Sequence, residues 1–427
     1  MNYSKCIDDL DKFINYEKKY TQKKDYRIKE FSDFLSYINS PERYEKSILI
    51  AGTKGKGSTV NYISSALINA GYDVGSFYSP HIRDIRERIC YNNKLIPKKD
   101  FSAIYSYLIS KFTNRDRSYK TFFEIMTSIA FLYFYKKHVD FNVIEVGLGG
   151  RLDSTNVLPN RYSIITHIGL DHTEVLGNTI EKIAYEKSGI IKPGSTVITG
   201  FQRNEVLNII KDTAYKLGAK LYIIEDHIKD IEYSIIEGKV TFEFNNKSFS
   251  LKSKMLGFHQ KDNMLNAFML LKIMESRNEI HRVENNHIFE NAFIQGRFEI
   301  RKTKDNTFIL DGAHNKDAME TLVQNVESLF KGKIINLIFT CMGNKDYKGM
   351  INELRNLKIR NIYIDNLNNP RELDTNSIIK TFRANGFNNI FSKISLSTIN
   401  SSENEIFLIT GSFYLVAKWE FILDKLN

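Results

Sequence analysis

The sequence predicts an α/β protein in two parts: a P-loop, parallel-sheet ATPase domain and a smaller, Rossmann-like C-terminal domain. Three observations predict it. The stretch Ala51-Gly52-Thr53-Lys54-Gly55-Lys56-Gly57-Ser58-Thr59 joins an apolar run at 47–51 to Val60, Ile63, Leu67 and Ala70, which fall at helical spacing. Short apolar runs alternate with helical patterns along much of the chain, as in a parallel sheet with crossover helices. The pattern changes near residue 293 and then restarts, which divides the chain into residues 1–293, with an N-terminal helical segment, and 294–427.

Composition bounds the function. At 427 residues the chain exceeds one ordinary core. A hydrophobic content of 42% with 26% charged residues fits an ordered globular protein. The net charge of +10 suits anionic ligands such as nucleotides or polyglutamates. Lysine-rich runs at 17–19 and 23–24 have no aromatic residues arranged for base stacking, so no nucleic-acid partner is expected. Cys6, Cys90 and Cys341 form neither a disulfide framework nor a zinc spacing, which points to a reducing cytoplasm. No signal peptide is visible and no apolar run reaches membrane length; residues 122–135 come nearest and contain Glu124.

Residues 1 to about 46 read as helical and polar, with Phe31, Phe34, Leu35 and Ile38 at helical spacing. In the 51–59 stretch, glycines let backbone N–H groups turn in around an anion. The helix that follows adds unpaired N–H groups and partial positive charge. Gly52, Thr53, Gly55, Lys56, Gly57, Ser58 and Thr59 are therefore candidate ATP-binding residues, with Lys56 on the outer phosphates and Ser58 on Mg²⁺. The common pattern, G-x-x-x-x-G-K-S/T, has lysine directly before the hydroxyl; here Gly57 intervenes. A glycine-rich turn without phosphate is the other reading.

Gly71 stops the helix. Residues 74–77 form a second strand that runs into Tyr78-Ser79-Pro80-His81, then Arg83, Arg86, Glu87 and Arg88. This loop is expected at the sheet edge where α/β proteins bind ligands, with an ordinary Ser-Pro turn as its alternative. Thr121 and Glu124 have capping-box spacing, and the helix to about Lys137 is apolar nearly all round. Residues 141–146 read as an interior strand with Glu145 near its end. Burying that acid is costly unless it is paired or binds metal, and opposite a phosphate loop it is a Mg²⁺ anchor.

Strands are expected at 163–166 and 196–199, and helices at about 179–187 and 204–217. Turns at 237–239 and 245–247 suggest an antiparallel appendage on the main sheet. Gly257-Phe258-His259-Gln260 opens a helix carrying Asn263 and Asn266. Beyond 293, strands at 307–310, 334–340, 362–365 and 406–410 alternate with helices, without a G-x-G-x-x-G for a dinucleotide.

The variant loop G-T-x-G-K-G-S resembles that of the folylpolyglutamate synthase and dihydrofolate synthase family, a branch of the Mur-type ATP-dependent amide ligases. The resemblance runs from about residue 30 to the C-terminus, with the motifs in family order. Glu145 to Asn156 is similar almost letter for letter to the family's E-V-G-L-G-G-R-L-D-x-T-N. It implies metal ligation by Glu145 and places Arg151, Asp153 and Asn156 near the pterin or glutamyl pocket. The S-P-H segment implies a Mg²⁺ role for Ser79 and a folate entrance lined by Pro80, His81 and Arg83. Leu170-Asp171-His172-Thr173 resembles L-D-H-T, which gives His172 to a second Mg²⁺. Glu186-Lys187-Ser188-Gly189-Ile190 resembles the segment whose lysine is carried as a carbamate; a solvated lysine paired with Glu186 is the rival reading of Lys187.

The helix at 258 resembles G-x-H-Q-x-x-N-A, and Asn266 inherits the adenine contact. Gln295-Gly296-Arg297-Phe298-Glu299 is similar to a P-G-R-x-E linker, with Gln295 for proline, and implies a phosphate contact for Arg297. Asp311-Gly312-Ala313-His314-Asn315 matches D-G-A-H-N, which assigns Asp311 and His314 to the nucleotide. Gly411-Ser412-Phe413-Tyr414-Leu415-Val416 resembles the family's last motif.

The resemblance implies Mur ligase architecture, with 294–427 as the ligase domain. It implies ATP-driven addition of L-glutamate to folate, and to dihydropteroate, through an acyl phosphate. Lys56, Lys187 and His314 are the expected catalytic residues, with ATP and two Mg²⁺ ions as cofactors. Expected partners are small molecules, with no nucleic acid and no membrane, for a monomer. Two other readings remain: a cell-wall ligase acting on a UDP-linked substrate, and a nucleotide-gated binding protein without ligase activity. Lys54, Ser154 and Gln295 depart from the family pattern.

Overall fold

The computed structural model describes residues 1–15, 27–43, 46–113, 116, 119–283, 287–343, 345–367, 369, 371–394, 399 and 402–425. The lysine-rich runs at 17–19 and 23–24 lie outside them. Two compact units are present. One comprises Met1–Glu232, Thr241–Lys252 and Asp262–Ala292; the other comprises Tyr233–Val240, Ser253–Lys261 and Phe293–Asn427. The second unit thus starts at Phe293 and also takes two short earlier stretches. In one of them the Phe258 N–H donates to Asn325 at 3.0 Å, and Leu256 packs against that unit's core.

The first unit is built on an eight-stranded sheet in the order β4-β3-β2-β5-β1-β6-β7-β8. Its strands are β1 Lys46–Ala51, β2 Val74–Phe77, β3 Ile89–Tyr91, β4 Lys94–Leu95, β5 Phe141–Glu145, β6 Tyr162–Ile165, β7 Thr196–Thr199 and β8 Lys220–Ile223. From β2 to β8 the pairing is parallel; β3 and β4 add an antiparallel edge. β5, β6 and β7 are buried at every residue, as interior parallel strands covered on both faces should be.

Register places the candidate residues together. Ile50 lies opposite Glu145, and Ala51 opposite Ile165, so the loop after β1 leaves the sheet beside the ends of β5 and β6. The helix Lys56–Asn69 follows that loop, buried continuously from Gly57 to Leu67. The helix Phe122–Lys137 starts at the expected capping box: Thr121 Oγ1 accepts from the Glu124 N–H, and the Glu124 carboxylate accepts from the Thr121 N–H.

The predicted appendage is resolved differently. β8 belongs to the main sheet in parallel, delivered by the helix Asn204–Lys216. The other three strands, β9 Ile228–Ser234, β10 Lys239–Phe244 and β11 Lys247–Lys252, form a separate sheet in the order β11-β10-β9. Asn245 and Asn246 both have positive φ, at 51° and 57°, as a two-residue hairpin turn requires.

The second unit has a six-stranded sheet in the order β12-β13-β17-β14-β15-β16, from β12 Glu299–Lys302, β13 Thr307–Leu310, β14 Ile335–Phe339, β15 Ile359–Ile364, β16 Ile390–Phe391 and β17 Ile406–Thr410. Only the β12–β13 pair is antiparallel. Alternate residues feed two cores: Ile335, Leu337 and Phe339 enter one, and Ile338 enters the other with Phe407 and Ile409. The period of two, with apolar residues on both faces, explains why helices cover both sides. Among the described residues no helix is long and apolar enough to cross a membrane.

Candidate active site

In the first unit, the loop between β1 and its helix is fixed from two sides. The Thr53 N–H donates to the His167 carbonyl at 2.8 Å, and Thr53 Oγ1 donates to the Gly169 carbonyl at 3.0 Å. Thr166 Oγ1 donates to the Lys54 carbonyl at 2.7 Å. Gly55 caps the helix with φ 86°, in the left-handed region, and a β-carbon there would lie 2.1 Å from Asn263 Oδ1. The N–H groups of the helix's first turn have no intrahelical partner, the arrangement that receives phosphate.

Three charged groups meet at this edge. Lys56 Nζ donates to the Gly52 carbonyl at 3.1 Å and lies 3.9 Å from Glu145 Oε1. Lys187 Nζ donates to the same carbonyl at 2.8 Å. Glu145, buried at the end of β5, accepts the Ser79 N–H on Oε2 at 3.0 Å. Burial, with the nearby positive charge of Lys56, holds the Lys187 amine down to about 7, against the opposing pull of Asp171 and Asp153. Ser58 is buried in the helix's first turn. His172 is half-buried, with φ 49°, at the start of the helix Thr173–Leu176; its N–H donates to Asp171 Oδ1 at 2.9 Å.

The loop after β2 carries Ser79, exposed Pro80 and Arg83, and His81, whose Nδ1 accepts from buried Arg88 at 2.9 Å. Glu87 gathers the N–H groups of Ile82, Arg83 and Asp84 at 2.6–2.9 Å. The loop therefore has an internal brace that its composition did not reveal.

Arg151, Asp153 and Asn156, expected near substrate, spend polar atoms on their own loop and on the helix Ile180–Ser188 with its Gly189 cap. Arg151 pairs with Glu186 at 2.8 Å. The Asp153 carboxylate accepts from Leu148 N at 2.8 Å, Thr155 N at 3.0 Å and Thr155 Oγ1 at 2.6 Å. Asn156 Nδ2 donates to the carbonyls of Arg151 and Gly189, both at 3.0 Å. A β-carbon on Gly189 would lie 2.3 Å from Arg151 Cβ, so this loop and the end of the Lys187 helix mesh.

Asn266, expected at the adenine, keeps its amide against its own helix. Its Nδ2 turns back to the Asp262 carbonyl at 2.9 Å, and its buried Oδ1 has no hydrogen-bond partner. Asn263, a turn earlier, is the residue that reaches the loop, with Oδ1 3.4 Å from Thr59 Oγ1. Counting H-Q-x-x-N from His259 gives Asn263, one turn before Asn266.

The second unit carries the remaining candidates. Asp311 accepts the N–H groups of Phe298 and Ala313, both at 2.8 Å, and so shapes the turn. His314 Nδ1 lies 2.8 Å from the Gly312 carbonyl. The Arg297 guanidinium stands 4.5 Å from the centroid of the Phe413 ring. Among the described residues no group of three or more His, Cys, Asp or Glu side chains is placed to hold a metal by itself.

Two family models match the chain: the Mur ligase middle domain over residues 50–271 and the Mur ligase, glutamate ligase domain over residues 296–413. The chain is 31% identical over 400 residues to a dihydrofolate synthase/folylpolyglutamate synthase of Bacillus subtilis, covering 90% of this chain and 91% of that one. A folylpolyglutamate synthase structure from Thermotoga maritima superposes with a TM-score of 0.85 at 31% identity, covering 100% of this chain and 97% of that one. A bifunctional folylpolyglutamate synthase/dihydrofolate synthase solved with Mn, AMPPNP and L-glutamate shares the fold, with a TM-score of 0.83 at 23% identity over 99% of this chain and 98% of that one. With its glycine-rich loop between strand and helix, its two large sheets and its D-G-A-H-N turn, the chain belongs to the Mur ligase family, in the branch of the dihydrofolate synthases and folylpolyglutamate synthases.

Proposed function

We propose that this protein is an ATP-dependent amide ligase that adds L-glutamate to folates and also to dihydropteroate. The observation that carries the reading is the convergence of Lys56, Lys187 and Glu145 at the phosphate loop, in a chain aligned over 90% of its length with a dihydrofolate synthase/folylpolyglutamate synthase. A carboxylate of the pteroate or folate attacks the γ-phosphorus of ATP; ADP leaves and an acyl phosphate forms. The glutamate amine then adds to the acyl carbon, loses a proton, and phosphate departs as the C–N bond is completed.

Joining two anions demands positive charge and fixed geometry. Lys56 supplies charge at the outer phosphates, and the helix's first turn supplies N–H donors. By the resemblance, Arg297 and His314 of the ligase domain serve the nucleotide as well. The donors Ser58, Ser79 and Glu145 offer only oxygen, which fits Mg²⁺. His172 and a carbamylated Lys187 are the proposed holders of a second ion. Bound there, Mg²⁺ would offset phosphate charge and polarise the transferred group. The Lys187 carbamate would arise when neutral Nζ bonds to the carbon of CO₂ and releases a proton. His81 and Arg83 are proposed to face the folate. Asp153 and Asn156 act by holding their loop in shape, and Arg151 does so through Glu186. All three cysteines are buried and unpaired, which supports a cytoplasmic setting, and the chain is proposed to act as a monomer.

Lys56→Ala and Glu145→Ala test the reading through glutamate-dependent ADP release. Each is expected to lose at least ~100-fold in kcat, the scale of removing one charge-stabilising group. Near-normal rates in either variant at saturating ATP and Mg²⁺ contradict its role.

A further inference from the structure

Two separated segments of the second unit converge on Phe413, the first residue of the helix Phe413–Leu423. The Arg297 guanidinium stands 4.5 Å from the ring centroid. The His314 ring lies 5.4 Å from it, tilted by 53°. The ring also occupies the space where Gly312 would carry a β-carbon, which would lie 2.0 Å from Phe413 Cε1.

The backbones are tied independently. Asp311 holds Phe298 N and Ala313 N, the Glu299 carboxylate accepts Gly296 N at 2.9 Å, and Ser412 caps the helix by accepting Tyr414 N at 3.2 Å. The side chains of Arg297 and His314 share the ring. Among the described residues no carboxylate pairs with Arg297, so its charge is not spent on an ion pair. A guanidinium against a ring face keeps its in-plane N–H donors directed outward.

We propose that Phe413 is a positioning residue: an aromatic platform that presents the Arg297 guanidinium and His314 imidazole as one unit to the anionic phosphates of the nucleotide. The inference rests on the reading of Arg297 and His314 as nucleotide contacts. It explains Gly312 physically, since any larger residue displaces the platform.

The test compares Phe413→Leu, Phe413→Tyr, Arg297→Ala and the double variant Arg297→Ala/Phe413→Leu in full-length protein. kcat and KM for Mg-ATP are read by glutamate-dependent ADP release, with thermal melts to check folding. Phe413→Leu is expected to lose about tenfold in kcat/KM for ATP, with KM for glutamate unchanged and Phe413→Tyr restoring activity. In the double variant the leucine should cost less than it costs alone, since part of the platform's effect passes through the arginine and only the His314 part is left to lose. Gly312→Ala keeps the ring but pushes it, so it should show the same ATP-side loss even if the leucine variant fails to fold. Wild-type kinetics for Phe413→Leu or for Gly312→Ala, or a loss fully additive with Arg297→Ala, overturns the platform while leaving the nucleotide role of Arg297 intact. Wild-type kinetics for Arg297→Ala instead overturns that role and the platform with it.

Discussion

Replacing Lys187 with methionine removes a buried amine while keeping most of the side chain's length. Lys187 Nζ sits 2.8 Å from the Gly52 carbonyl, near the positive charge of Lys56, and its pKa falls from 10.5 to about 7. At pH 7 about half of these amines are neutral, against roughly one in 3,000 for an ordinary lysine. Only the neutral amine adds CO₂, so burial raises the reactive population about a thousandfold. Two consequences separate function from stability. Ligation should collapse in Lys187→Met, by at least ~100-fold, and the wild-type rate in CO₂-depleted buffer should rise when bicarbonate is added. That response should grow as pH rises through about 7 and fade below about 6. The substitution should move stability opposite to activity.

The unfolded amine stays protonated up to its ordinary value, so between about 7 and 10.5 the folded state binds fewer protons, and wild-type stability rises with pH across that window. At pH 7 the methionine variant should therefore be more stable, by on the order of a few kcal/mol, with the gap closing toward pH 10.5. The assays are product formation with and without bicarbonate and denaturant melts at several pH values. A bicarbonate-independent wild-type rate across pH 6 to 8 refutes the carbamate. A methionine variant less stable than wild type at pH 7 refutes the electrostatic reasoning.

Gly55→Ala should raise KM for ATP strongly and lower the melting temperature, because the new methyl meets Asn263 Oδ1 and the left-handed backbone adds roughly 1–2 kcal/mol. Nucleotide titration and a thermal melt check both. Asn263→Ala should weaken ATP binding far more than Asn266→Ala, since only Asn263 reaches the loop; equal effects on KM contradict the assignment.

What was legible in the sequence was local. The strand-loop-helix around Gly52–Ser58, the capping box at Thr121, the strand at Val74–Phe77 and the strand-end place of Glu145 are written in adjacent residues, and the structure has each of them. What was not legible depends on partners far along the chain. The short strand Lys220–Ile223 reads like its neighbours, and only pairing with Thr196–Thr199 assigns it to the main sheet. The bonds by which Leu148 and Thr155 use the Asp153 oxygens are not visible in its motif. The two asparagines of one helix differ in exposure to the loop by a single turn. Phe413 gathers Arg297, Gly312 and His314 across more than a hundred residues, a convergence with no local signature.

The central claim is glutamate transfer to a pteroate acceptor. It is tested most directly by the product mass after purified protein is incubated with Mg-ATP, L-glutamate and either dihydropteroate or tetrahydrofolate. The account predicts one or more added glutamyl residues on both acceptors, each addition matched by one ADP. ADP release with no glutamate on either acceptor, or amide formation only on a UDP-linked substrate, contradicts it.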